Sequence, residues 1–413
     1  MKRIFYYMFL LFSPGFLTAQ EINLDYFIKR SLDNSPAIRD FQNQILSGQI
    51  DSLRISAGLK PRVNLVSNNY YAPIFKGWGY DEVKTDIANI NAQMSVSKDI
   101  IGAKRRDNQF RVVAIQQQSL QNGMKISEKQ LIREVTDQYI SCWGLGQQVS
   151  FEKSLISFLE NEEVIFKKLT GQNIYKQMDF LNFQVTLKQQ GLQLAQFKSQ
   201  YKNSLAALNL LCGISDTTTY ILGDPGLTAG EFSNFRNSLY YQPFITDSLK
   251  LVNENGQIKF SYKPKLSVFG DAGYFSSLNM RPYRNFGAGA GINLTVPIYD
   301  GNQKKMQLDK NLIAEQTRQG YRDYYIRQYN QQISELARQL NANREMEGLV
   351  AQQVELSRHL MDINHTLLEN GMIQISDYLI AIGNYLNARH QQVQNKVEKY
   401  QIISQINYWS TTK

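Results

Sequence analysis

Thiol and imidazole groups are scarce in this chain. Among 413 residues there are two cysteines, Cys142 and Cys212, and three histidines, His359, His365 and His390. The histidines form no spaced metal pair and no H-E-x-x-H occurs, so they read as polar helix-face residues and no metal site is expected. Gly287, Gly289 and Gly291 alternate inside a strand-like run, without the G-x-x-x-x-G-K of a phosphate loop. They read instead as small residues in a crowded sheet wall. Glu160, Glu162 and Glu163 read as a solvated acidic face. No acid–base or nucleophile constellation appears, so neither an enzyme nor a cofactor is expected. The net charge is +9, yet no compact basic cluster interleaves with aromatics, which argues against a nucleic-acid partner. Cys142 and Cys212 lie at unequal distances from an intervening glycine turn at Gly171. They are therefore offset along their helices and read as small buried residues, not a bridge.

Long apolar runs are also missing. The longest near the start, Ile4 to Phe12, follows Lys2 and Arg3 and precedes Leu17-Thr18-Ala19. That pattern is a secretory signal, expected to span 1–19 and to be cut after Ala19. It is too short to cross a bilayer, which takes about 20 residues. With no spanning helix elsewhere, the only route into a membrane is a β-barrel.

Proline is rare and unevenly placed. None occurs from Lys104 to Leu169 or from Lys304 to Leu368. At 1.5 Å per residue each segment would reach about 100 Å as one helix, well beyond a compact domain. Leu349, Leu356, Leu360, Ile363 and Leu367 recur at coiled-coil spacing, as do Leu194, Phe197, Tyr201, Leu205, Leu208 and Cys212.

What is present is a duplication. Lys60-Pro61-Arg62-Val63 recurs as Lys263-Pro264-Lys265-Leu266, and Met94-Ser95-Val96 as Leu294-Thr295-Val296. Gly171 with Asp179-Phe180-Leu181 recurs as Gly371 with Asp377-Tyr378-Leu379. The first repeat is expected over 20–212, with strands near 62–71 and 88–97 and a hairpin tip near 171–178. A linker over 213–242 follows. The second repeat, 243–413, carries strands near 265–275 and 287–298 and a tip near 369–377. Ile90, Ala92, Met94 and Val96 share one strand face, against Asn91, Gln93 and Ser95 on the other. Ile292, Leu294, Val296 and Ile298 repeat this pattern. Such alternation suits a membrane barrel strand, and equally a half-buried soluble sheet. Tyr70, Tyr71, Tyr274 and Phe275 stand near strand ends, where aromatic girdles sit. Four strands cannot close a barrel, whose smallest members have about eight. If they span lipid, copies of the chain must share one.

The chain resembles the TolC family of outer-membrane factors over essentially its whole length after the signal. The residues that carry the resemblance are Asn34-Ser35-Pro36-Ala37-Ile38, then Pro61 and Pro264 before the first strand of each half. Pro297-Ile298-Tyr299-Asp300-Gly301 and the two Gly…Asp-x-Leu tips complete it. The resemblance implies an α+β membrane protein. A transmembrane β-barrel, four strands per chain and twelve in a homotrimer, would run into a long periplasmic α-helical coiled-coil barrel. It also implies a place in the outer membrane among its lipids, docking onto a periplasmic adaptor protein and an inner-membrane transporter. The role would be an exit duct for tripartite efflux or type I secretion. Asp377 matches a carboxylate of the family's pore entrance and Asp179 an aspartate of its lock, while Gly171 and Gly371 mark the tips. The family's second entrance carboxylate falls on Ile380, the basic lock partner on Ile373 and the lock tyrosine on Leu368. Lys176 is therefore expected as an alternative donor, and each Asp is equally a first-turn helix carboxylate. The competing reading is a non-conducting periplasmic or surface coiled-coil scaffold or adhesin.

Overall fold

A computed structural model describes residues 23–72, 78, 87–215, 219–232, 234–277 and 281–410. The expected signal at 1–19 lies outside these residues, as does most of the loop after the first strand.

Helices α1 (Leu24–Asn34) and α2 (Pro36–Gly58) lead to strands β1 (Arg62–Val66), β2 (Tyr70–Ala72) and β3 (Ile87–Ile100). Then come α3 (Ala103–Gly171) and α4 (Gln177–Leu211). After two short 3-10 turns, α5 (Gln242–Ser261), β4 (Lys265–Ser276), β5 (Phe286–Thr295), α6 (Gln303–Glu369) and α7 (Ile375–Trp409) complete the chain. No helix among the described residues is long and apolar enough to cross a membrane.

Local chemistry sets these boundaries. The Asn23 side chain accepts from the Tyr26 N–H and opens α1. Ser35 is extended before Pro36, which closes α1 and starts α2. Gly213, at φ +65°, ends α4 in a Schellman turn: Ile214 N–H reaches the Asn209 carbonyl and Gly213 N–H that of Leu210. Asn34 ties α1 to this turn by donating to the Cys212 carbonyl at 2.9 Å. Strand β5 stops at Thr295, three residues short of expectation, because Pro297 has no N–H to give the ladder. The expected strand 62–71 forms as β1 and β2, with unbroken register between them. Val66 faces Gln93 and Tyr70 faces Asn89, while between them the side-chain amide oxygen of Asn69, not a backbone carbonyl, accepts the Asn91 N–H.

The chain divides into two units, each drawing on both sequence halves, and α3 and α6 pass through both. One unit holds α1, α4, α7, the segment 213–232 and the later parts of α3 and α6. Its core has two clusters. The first gathers Phe27, Tyr139, Trp143, Leu208, Leu336 and Ile403. Cys142 and Cys212 are buried in it as free thiols, each pushed up to about 12 by desolvation. Gly144 lets α7 approach α3, since a Cβ there would lie 2.4 Å from Val397. Part of the linker, 219–232, is docked on this core: Tyr139 donates to the Gly223 carbonyl, and Lys396 and Tyr400 both donate to Asp224. The second cluster gathers Leu159, Phe166, Phe183, Leu368, Ile375 and Tyr378. Phe166 and Phe183 meet edge-on at 4.5 Å between centroids.

The other unit holds α2, α5, the first parts of α3 and α6, and a fully antiparallel sheet in the order β1-β3-β4-β5, with β2 also on β3. Gly273 is required at the β3–β4 seam, where a Cβ would stand 2.3 Å from the Ala92 carbonyl oxygen; at Gly287 the same atom would meet nothing. Gly273→Ala should therefore loosen the sheet and lower the thermal midpoint of the purified protein, while Gly287→Ala leaves it unchanged. Equal effects from the two substitutions would show that the seam is not so tightly set.

Candidate functional site

The sheet is a wall with two chemically distinct faces, and register assigns every residue to one of them. Leu65, Met94, Ala272 and Ala288 form one row across the four strands; Val63, Val96, Gly270 and Ala290 form the next on the same side. Val268 with Ile292, and Leu266 with Leu294, extend that side toward the helices. Between Lys98, opposite Val268, and Ser276, opposite Ile90, this face is apolar, and Leu65, Ile292 and Leu294 are 78%, 72% and 62% exposed. The opposite face carries Asn64, Ser95, Asp271 and Gly289 in one row, and Arg62, Ser97, Phe269 and Gly291 in another. The β5 glycines make room for side chains of β4. A Cβ on Gly291 would strike the Phe269 ring at 2.5 Å, and one on Gly289 would meet the Asp271 carboxylate at 3.2 Å.

The far ends of the long helices form two tips built on one turn. At the first, Asn173 N–H reaches the Thr170 carbonyl and Ile174 N–H the Leu169 carbonyl. At the second, Gly371 N–H reaches Leu368 and Met372 N–H reaches Leu367. Both are Schellman turns, and the left-handed residue is Asn173 at φ 60° in one and Gly371 at φ 70° in the other. Gly171 is instead the last residue of α3 and has no left-handed backbone. Asn takes the left-handed region at low cost, which is why a glycine marker misplaces this tip by two residues.

Asp179 and Asp377 both fall in the first turn of their helices, α4 and α7. Asp377 is exposed and Asp179 half-buried. Among the described residues no ion pair joins either Asp to Lys176, which occupies the N-cap of α4 without a side-chain bond. The expected donor is thus not engaged. Leu368 is almost fully buried and Ile373 packs against the same cluster. The two expected lock positions are therefore core positions here, and Tyr175 donates to the Leu368 carbonyl at 2.7 Å.

Two polar contacts behind the tips differ from the sequence expectation. Glu162, expected on a solvated face, is buried and lies 3.0 Å from His365 Nδ1; Glu152 is fully buried and lies 3.0 Å from His390 Nε2. Each joins α3 to α6 or α7. Only His359 is the exposed helix-face residue expected. A histidine on one helix and an acid on another, more than 200 residues apart, leave no trace in single-helix periodicity. Burial raises the Glu162 carboxyl above its ordinary range, opposed by His365; burial and the Glu162 charge push the Tyr378 phenol up as well.

The tip chemistry makes two predictions. Gly371→Ala should cost about 1–2 kcal/mol of stability by forcing a Cβ into the left-handed region, whereas Asn173→Gly should be neutral or stabilising in the same denaturation assay. The second concerns pH. A carboxyl raised in the fold binds more protons there than in the unfolded chain, so its contribution falls as pH climbs from the ordinary 4.5 through the raised value. The melting temperature of Glu162→Gln should gain on wild type as pH rises above about 4.5. A pH-independent gap would refute the burial cost.

Comparison with solved structures follows this geometry. The outer membrane protein VceC from Vibrio cholerae superposes with a TM-score of 0.76 at 11% identity, covering 94% of this chain and 96% of that one. CusC, in a study of folding and transmembrane channel formation, gives 0.77 at 11%, covering 95% and 93%. The Campylobacter jejuni CmeC outer membrane channel gives 0.73 at 13%, covering 95% and 86%. No family model and no curated protein matches the sequence. The chain has the fold of these outer-membrane channels, a small sheet joined to long helices.

Proposed function

We propose that this chain is one subunit of an outer-membrane exit duct, a conduit and not an enzyme. The observation that carries this reading is the sheet. It has one exposed apolar face and one polar face, and among the described residues no further strand pairs with the outer side of β1 or β5. Lipid offers nothing to an unpaired N–H or carbonyl, so a four-stranded wall in a bilayer needs other copies to close it. Three copies would supply twelve strands, with the polar, glycine-rich face lining the passage. A second observation supports self-association. On α6, Leu349, Leu356 and Ile363 of the expected coiled-coil seam are 63%, 70% and 58% exposed, although the α4 seam turns Leu205, Leu208 and Cys212 inward. An apolar seam left open by its own chain is suited to cover by a neighbouring copy.

In this reading the tips face the periplasm and meet an adaptor protein and an inner-membrane transporter, for efflux or type I secretion. Asp377, exposed on the first turn of α7, would place a ring of carboxylates at the entrance and favour cations, with exposed Ile380 one turn on. Asp179 takes part beside it through its own first turn. Purified protein in a planar bilayer should show discrete channels at a mass of three chains, and Asp377→Asn should lower the preference for cations over anions. Protein that washes from membranes with salt and conducts nothing would overturn the duct in favour of a scaffold. Unchanged ion preference would remove Asp377 from the entrance.

A further inference from the structure

The sheet's helical end carries a charge pattern that a passage does not need. Antiparallel pairing brings all four strand–helix junctions to one level: Arg62 lies opposite Ser97, Ile100 opposite Leu266, and Lys265 opposite Thr295. Beyond Arg62 on one side, and up to Lys98 and Lys265 on the others, the described strands contain no Lys or Arg; Asp271 is their single charge. At the junctions basic residues begin at once. Lys60 and Arg62 enter β1, and Lys263 and Lys265 enter β4. Lys98 ends the apolar face of β3, followed by Lys104, Arg105 and Arg106 on α3; Lys304 and Lys305 open α6. All are exposed except half-buried Arg105.

The acids in these stretches are Asp99, Asp107 and Asp300. Asp300 is occupied as a cap, accepting from the Asn302 and Lys304 N–H groups. Among the described residues the one ion pair in the group is Arg106 with its neighbour Asp107, at 3.7 Å. Apolar and aromatic side chains share the level. Ile298 and Tyr299 are 94% and 86% exposed, Lys304 Nζ sits 5.9 Å above the Tyr262 ring, and Lys263 Nζ sits 5.1 Å above Phe260.

An uncharged apolar band that gives way within one or two rungs to unpaired cations and exposed aromatics has the profile of a hydrocarbon–headgroup boundary. We infer that this basic collar is a binding surface for the anionic headgroups of the phospholipid leaflet nearest the helices. The inference rests on the membrane reading above and adds to it the charge class of the lipid. Zwitterionic headgroups bring a cation with every phosphate, so they give the collar no net attraction. Anionic ones supply phosphate oxygens to the collar, each basic residue near such a surface contributing attraction that salt screens.

The test is lipid selectivity of the reconstituted full-length protein, read by spin-labelled phosphatidylglycerol and phosphatidylcholine in phosphatidylcholine vesicles. Wild type should restrict the phosphatidylglycerol probe several-fold more than the neutral probe, and salt should reduce the difference. A collar variant with all ten basic residues neutralised, K60Q/R62Q/K98Q/K104Q/R105Q/R106Q/K263Q/K265Q/K304Q/K305Q, should lose the preference. A control neutralising lysines of the other unit, K153Q/K188Q/K198Q/K202Q, should keep it, with helical circular dichroism confirming that both fold. Equal restriction of the two probes by wild type, or a preference that survives in the collar variant, would overturn the inference while leaving the membrane reading intact. Loss of the preference on adding inorganic phosphate at constant ionic strength would overturn it in favour of a free-anion site. Restriction of neither probe would defeat the membrane reading itself.

Discussion

A strand can leave its backbone unpaired at a sheet edge only if water or another chain satisfies it. In this protein β1, β3, β4 and β5 pair in that order, and among the described residues no further strand joins the outer side of β1 or β5. An open edge and an exposed apolar face are each tolerable alone in a soluble sheet. Together, on a wall whose other face is polar, they are what the proposed duct would cover with lipid and with strands of further copies. The rest of the architecture fits that arrangement. The glycines of β5 give way to Phe269 and Asp271, the aromatics collect at the strand ends, and helices emerge from one edge of the wall alone.

Within the helical unit a different economy operates. The cores around Phe27 and around Phe166 are ordinary aromatic and aliphatic packings, but charged groups have been admitted between helices. Glu152 and Glu162 are buried opposite histidines from α7 and α6. Burying a carboxylate is costly, and breaking one such pair costs more than replacing both members with apolar residues. Each pair links two helices whose partner residues lie more than 200 positions apart in the chain.

Much of this was legible from the sequence. Absence of proline marked α3 and α6, and alternation marked the two faces of β3; β5 was expected to run to 298, and the missing N–H of Pro297 ends it at Thr295 instead. What was not legible has physical causes. The first tip was read from Gly171, yet the left-handed turn residue is Asn173, because a turn needs a backbone conformation and not a particular residue. Lys176 was expected as a substitute donor because the lock positions fall on Ile373 and Leu368, but a missing partner does not determine where a flexible side chain points. Glu162 looked solvated because its partner lies on a helix that is distant in the chain. The resemblance located Leu368 and Ile373 as lock positions; their burial came from packing that no linear pattern displays.

The β3–β4 seam joins residues that are far apart along the chain. Ile100 meets Leu266, and Ile90 meets Ser276, so α3, α4 and α5 all intervene before the central pair of the wall can close. Helices form from local contacts, whereas such a pairing must wait for a long closure. The topology therefore separates two kinds of closure: the helices rest on local contacts, and the central pair of the wall on a long closure. Until it closes, the strands are short, alternating and only half apolar. That composition keeps an unfinished wall from behaving like a membrane-spanning segment before its partners arrive.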